Sequence, residues 1–432
     1  MTQLPKLRAF LGTIFTSFGI QMITLFSGGL TSRVLGADGR GLLAGAQLVP
    51  NMIAIISLLG INNVIAILVA KDNEKSIELS LISLKITLPL SIISCLVGWY
   101  IIPFVLPEEN IELIKLSRFF LLYIPISIPI NLLMSIDQGI GNFALFNKTR
   151  FILNPVYLAL VIILSIFSLN QPFWFLLSLI LSNLALLIYR LTFVKWKKLK
   201  IIKVQTNFLS LVMQGKNFFL TSIVYIVKDN IERFILLLLL GATSLGVYVV
   251  ALSASGLHLI LSKSLNLIVF SRGAALESGQ AVHDCSRTFR IMAIINFFIS
   301  LLVIGLMPIL IPVVFGSDFN SSIVPAMLLV ISQYFLCQAS LLDEGLRSQQ
   351  LPLFGMQGVI GNVLITIVLG LVFVPNGGTV SMTIISIISQ VCYLVWMIIS
   401  FKRIDNQVKL LPELLDLHFI ITKLKIFSLA RL

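Results

Sequence analysis

The residues of this 432-residue chain best suited to chemistry are five polar ones set in an apolar run. Lys228, Asp229, Asn230, Glu232 and Arg233 lie between Phe218–Val227 and Phe234–Leu240. Facing lipid, each ionised group would cost about 2.5–3.5 kcal/mol, so the charges must face one another or a polar cavity. Lys228 with Glu232 and Asp229 with Arg233 are spaced i,i+4, which allows mutual neutralisation along one helix. The string also reads as a loop, with the helix starting at Phe234. Against a cavity, Asp229 and Glu232 are candidates for ion coupling, while Lys228 and Arg233 attract an anion. Arg33, Arg40, Lys85 and Lys263 extend that positive set. Arg33 and Arg40 are the basic residues of one short connection. Lys85 and Lys263 lie about two turns inside apolar runs, from which a long side chain can also snorkel to the interface. Together the six cations suit an anionic headgroup such as a diphosphate.

The elements that position these residues are membrane helices. The chain is 58% hydrophobic and only 11% charged, with a mean hydropathy of +1.03. A soluble domain has about a quarter of its residues charged, so this chain has too little polar surface for water. Its apolar runs are continuous, which excludes the period-two alternation of a membrane barrel. They predict about twelve transmembrane helices, near 10–32, 42–70, 79–105, 113–136, 151–169, 173–194, 218–240, 246–270, 291–314, 322–342, 356–375 and 379–401. The run from Phe10 to Leu30 is too long for a signal h-region and has no cleavage site after it, so it reads as a retained helix. Cys95, Cys285, Cys337 and Cys392 make no disulfide framework, and the three histidines are scattered, so no metal site is expected.

With both termini in the cytoplasm, most of the 31 Lys and Arg residues fall on the inner side, as the positive-inside rule requires. The net charge of +13 is then directed at anionic lipid headgroups, and nucleic acid is not a partner. Connections are short, which leaves no soluble catalytic domain and points away from an enzyme. No G-x-x-x-x-G-K-[ST] string is present. The tail mixes Leu, Ile and Phe with Lys423, Lys425 and Arg431, as an amphipathic helix on the inner surface would.

The two halves repeat. Leu35-Gly36-Ala37 with Gly41 matches Leu240-Gly241-Ala242 with Gly246 at an offset of 205. Asp137-Gln138-Gly139-Ile140 matches Asp343-Glu344-Gly345-Leu346 at 206, and Asn154 matches Asn362 at 208. The expected fold is an all-α integral membrane protein with two pseudo-symmetric six-helix bundles around a central cavity. Its parts are an amino-terminal lobe over 1–200, a second lobe over 201–403 and a tail over 404–432, with a basic linker over 195–217. Lobes that rock about a cleft expose it to each side in turn.

The segment Thr31-Ser32-Arg33-Val34-Leu35-Gly36-Ala37-Asp38-Gly39-Arg40-Gly41 resembles the polysaccharide-biosynthesis flippases of the multidrug/oligosaccharidyl-lipid/polysaccharide exporter superfamily. So do Glu232-Arg233, Leu240-Gly241-Ala242-Thr243-Ser244-Leu245-Gly246-Val247-Tyr248, Phe315-Gly316 and Gly361-Asn362. One departure is Glu232, where the family often has Asp before the arginine. The resemblance implies a basic cavity and a polyprenyl-diphosphate-linked oligosaccharide as cargo. That cargo would be an undecaprenyl-diphosphate-linked unit of O-antigen, capsule or exopolysaccharide, moved across the bacterial cytoplasmic (inner) membrane. Implied partners are membrane lipids and a polysaccharide polymerase. No cofactor is implied, and H+ or Na+ is the coupling ion if transport is coupled. The alternative within the superfamily is a cation-coupled multidrug exporter, disfavoured because Phe10–Ser32 has no Asp or Glu to meet an organic cation. A membrane polymerase or ligase would need a large outer loop with polar catalytic groups.

Overall fold

The computed structural model describes residues 3–194, 207–259, 269, 278–349, 351–405 and 409–410. Every regular element among them is helical. In chain order these are α1 (Gln3–Ile56), α2 (Ile61–Lys71), α3 (Lys75–Val105), α4 (Ile111–Phe120), α5 (Ile124–Ile140), α6 (Phe143–Ile166) and α7 (Pro172–Leu191). Then come α8 (Phe208–Ser255), α9 (Ser278–Phe315), α10 (Ile323–Ser348) and α11 (Pro352–Ile404). A 3-10 turn over Gly256–His258 continues α8. Most of the expected linker and tail lies outside the described residues, as does Lys263.

The helix faces are patterned for lipid. On α3, Leu88, Ile92, Leu96 and Phe104 are exposed, while Ser83, Ser91 and Ser94 are buried. Ser83 and Ser91 donate to the carbonyls of Leu79 and Thr87 at 2.7 and 2.6 Å, so the buried hydroxyls are satisfied within the helix. Apolar outside and small polar inside is what hydrocarbon selects, since helices gain nothing by hiding Leu from it. The protein is a multi-pass membrane protein.

Nine helical stretches among the described residues are long and apolar enough to cross a membrane. That differs from a simple series of twelve, and the reason is glycine. Phe15–Ile56, Phe208–His258 and Pro352–Ile404 run 42, 51 and 53 residues, where about 20 cross a bilayer. Each contains one glycine off the helical path: Gly36 (φ 66, ψ −174), Gly241 (φ 79, ψ −174) and Gly378 (φ 64, ψ −151). That region of backbone space is open essentially to glycine alone. At Gly378 the chain folds back on itself, because Trp396 beyond the turn donates its Nε1–H to the Phe354 carbonyl before it at 3.0 Å. Loops expected at 33–41 and after 240 are therefore single-residue turns, with helix resuming at once on the far side.

The described residues group into two compact units. The first holds Met1–Val250 with Pro312–Phe319, around a core that includes Leu43, Ile61, Leu79, Leu113, Ile124 and Phe175. Within it, the backbones beyond Gly36 and Gly241 come into direct contact. A Cβ on Gly41 would overlap the Ala242 carbonyl, and one on Gly246 would overlap the Ala37 carbonyl. The second unit holds Ala251–Ile311 with Asn320–Leu432. There α10 packs along α11, burying Val330, Leu342, Met382, Met397 and Phe401.

Candidate functional site

The polar string of 228–233 is helical, well inside α8, so the loop reading is excluded. Its charges take partners inside the first unit, with the Asp229 side chain left exposed. Gly241 reverses the chain and brings Tyr248 back against Glu232, to which the fully buried Tyr248 hydroxyl donates. Arg233 donates from Nη1 to Asn230 Oδ1 at 3.5 Å, and Asn230 is itself held by donating to the Ile226 carbonyl at 2.8 Å. Lys228 Nζ lies 4.0 Å from Asp229 Oδ1; the lysine side chain is 9% exposed and the aspartate 71%.

Arg40 completes the arrangement from α1. Gly36 turns the chain so that the Arg40 guanidinium lies over Gly28, its Nη2 3.9 Å from where a Cβ would stand. Arg233 of α8 and Tyr157 of α6 are its electrostatic neighbours. The Tyr157 hydroxyl is hydrogen-bonded to Thr31, and α6 is tied to α1 by Thr24 Oγ1 donating to Asn154 Oδ1 at 3.2 Å. The Nε–H groups of Arg40 and Arg233 are both buried without an acceptor. A buried donor without a partner costs about 1–3 kcal/mol, and two neighbouring cations add repulsion. An oxyanion between them removes both costs, and guanidinium forks match phosphate oxygens in pairs.

Two sequence candidates stand apart from this cluster. The Arg33 guanidinium donates to the Val314 carbonyl at 3.1 Å, to Pro312 at 3.4 Å and to Val313, so it caps the last carbonyls of α9. Lys85 is exposed on α3. Lys263 is not among the described residues. Arg40, Lys228, Asp229, Glu232 and Arg233 lie in the first unit, and Arg40 and Arg233 are electrostatic neighbours.

Two features were missed from sequence. Tyr157 carries no local mark, since its role depends on α6 lying along α1. Arg190 is buried. Its Nη2 donates to Asp137 Oδ1 at 2.7 Å and to the Leu133 carbonyl at 3.2 Å. The pair lines a cavity of about 220 Å³ with Ser76, Ser80 and Asn142. Asp137 sits in the repeated Asp-x-Gly string, which marked the position without revealing its partner.

A family model described as polysaccharide biosynthesis protein matches residues 9–271. No curated protein sequence matches the chain significantly. Among solved structures, a lipid II flippase MurJ in an inward closed conformation superposes with a TM-score of 0.70 at 14% identity, covering 90% of this chain and 87% of that one. An inward-facing multidrug resistance MATE family transporter of the MOP superfamily gives a TM-score of 0.71 at 14% identity, over 92% and 100%. A MOP superfamily transporter from Pyrococcus furiosus gives 0.65 at 15% identity, over 91% and 95%. These likenesses establish the fold as that of MOP superfamily transporters. With the family model spanning more than half of its length, the chain belongs to the polysaccharide biosynthesis protein family.

Proposed function

We propose that this protein is a flippase that carries an undecaprenyl-diphosphate-linked oligosaccharide from the inner to the outer leaflet of the bacterial cytoplasmic membrane. Alternating access between two six-helix lobes moves the cargo, with about twelve crossings and both termini in the cytoplasm. The observation that carries this reading is the Arg40–Arg233 cluster, two neighbouring guanidinium groups whose buried Nε–H donors lack acceptors. Such a site suits the diphosphate that every cargo of this class shares, whatever glycan follows it. The lipid II flippase among the structural relatives supports a lipid-linked cargo. Released repeat units would then serve a polysaccharide polymerase on the outer face.

The test is reconstitution of the full chain in liposomes with an undecaprenyl-diphosphate oligosaccharide and a membrane-impermeant glycan-modifying enzyme outside. Protein-dependent exposure of the glycan is the expected result. Movement of an organic drug cation, with no glycan exposure, would replace this reading by that of a multidrug exporter.

A further inference from the structure

A second polar site lies wholly in the other unit. Three helical segments each contribute a pair of residues one turn apart: Ser255 and His258 at the end of α8, Asn296 and Ser300 on α9, Gln333 and Cys337 on α10. All six are buried, His258 to 1% exposure. Hydrogen bonds join the three segments within that unit.

The hydrogen bonds assign the protons. Ser300 Oγ donates to the Asn296 carbonyl at 2.7 Å. Its 2.9 Å contact with His258 Nε2 is therefore a bond that it accepts, and the Asn296 carbonyl at 3.3 Å is a second acceptor for the same N–H. The ring is then the Nε2–H tautomer, and its Nδ1 lone pair faces Cys337 Sγ at 3.8 Å. One turn back, Ser255 Oγ donates to the Leu252 carbonyl at 3.1 Å and accepts from Gln333 Nε2 at 2.8 Å. Gln333 Oε1 is left buried without a donor. The cluster thus has a basic ring nitrogen opposite a weak donor and an amide oxygen opposite none.

From this we infer that His258 is a proton-binding site that couples transport to a pH gradient, an inference that rests on the transport reading above. Histidine titrates near neutral pH, and an ionisable group buried among membrane helices is costly to retain as packing alone. Cys337 on α10 is the titratable group facing the ring; Ser255 on α8, and Asn296 and Ser300 on α9, are neutral, and among the described residues no charged side chain bonds to His258. Here the neutral ring is satisfied, whereas an imidazolium would find no counter-charge among the described residues. Proton binding therefore favours a conformation in which the cluster is hydrated, and such differential affinity shifts a transport equilibrium.

Proteoliposomes with the undecaprenyl-diphosphate oligosaccharide, clamped at zero membrane potential, test this under an imposed gradient of one pH unit. For one proton per lipid, that gradient shifts the inner-to-outer distribution by about tenfold. His258→Gln keeps a hydrogen-bond donor but cannot titrate. Its lipid distribution should not respond to the gradient, whatever its rate of flipping without one. A variant that responds as wild type does, or a wild type that flips lipid with no response to pH, overturns the coupling and leaves the flippase reading intact. Absence of flipping in both overturns that reading and this one with it. If His258→Gln fails to fold, 15N NMR of histidine-labelled wild type decides. Ring nitrogens of His258 that titrate between pH 5 and 8 support the site, and a ring fixed as Nε2–H throughout overturns it.

Discussion

Gly41 and Gly246 stand at equivalent places in the two repeats, 205 residues apart, and each fits against the other's helix only because it lacks a Cβ. Ala37 and Ala242, whose carbonyls they meet, are equivalent as well. So are Asp38 and Thr243, which bond to each other at 3.1 Å from Thr243 Oγ1 to Asp38 Oδ1. Residues related by the duplication touch their own counterparts, as happens where a pseudo-twofold axis passes through a contact. A small residue on each side lets two backbones approach closely, the device membrane helices use in place of hydrophobic burial.

Alanine at either position should force the backbones apart. Gly41→Ala and Gly246→Ala are each expected to destabilise by about 1–3 kcal/mol, the usual cost of overpacking. Because both probe one contact, the double variant should cost less than the two summed. Thermal unfolding of the four proteins in one detergent checks this. Gly305→Ala, where a Cβ meets nothing within 4 Å, is the control and should be nearly neutral.

The turn glycines predict a different pattern. A Cβ on Gly36 or Gly241 would meet nothing within 4 Å, yet both residues sit at positive φ with ψ of −174. Strain rather than space sets the cost, about 1–3 kcal/mol for alanine at each. Serine should then be as damaging as alanine, and the two sites should respond alike in thermal unfolding.

Arg190 and Arg40 separate a structural cation from a binding one. Asp137→Asn leaves the buried Arg190 charge unpaired and should cost about 3–5 kcal/mol. Arg40→Gln instead removes a cation that stands beside another, so folding stability should hold or rise while lipid flipping falls by tenfold or more. Melting curves and flipping rates on the same preparations check both.

Arg33→Gln should act on α9 rather than on cargo. It deletes donors to the carbonyls of Pro312, Val313 and Val314, a loss of about 1–2 kcal/mol for capping bonds of this kind. Hydrogen exchange should rise at the end of α9, and affinity for a diphosphate lipid should stay within twofold of wild type.

Much of the architecture was legible because lipid imposes a simple rule: long apolar runs must be helices. The Leu-Gly-Ala repeat was legible too, and its two glycines share nearly the same backbone angles. What sequence concealed depends on chain reversal and on distance along the chain. The Tyr248–Glu232 bond exists because Gly241 folds α8 back. Arg33 read as a cavity cation because its partners lie some 280 residues away, in carbonyl groups that no side-chain pattern advertises. His258 read as one of three scattered histidines, since its partners come from α9 and α10.

The most direct test compares two cargoes in the same proteoliposomes, one oligosaccharide carried on undecaprenyl diphosphate and the same oligosaccharide on undecaprenyl monophosphate. Wild type should flip the diphosphate lipid at least tenfold faster, and the Arg40→Gln/Arg233→Gln double variant, folded and reconstituted equally, should lose that preference. Equal rates for the two lipids in wild type, or a preference that survives in the double variant, would contradict the assignment of these arginines to the diphosphate.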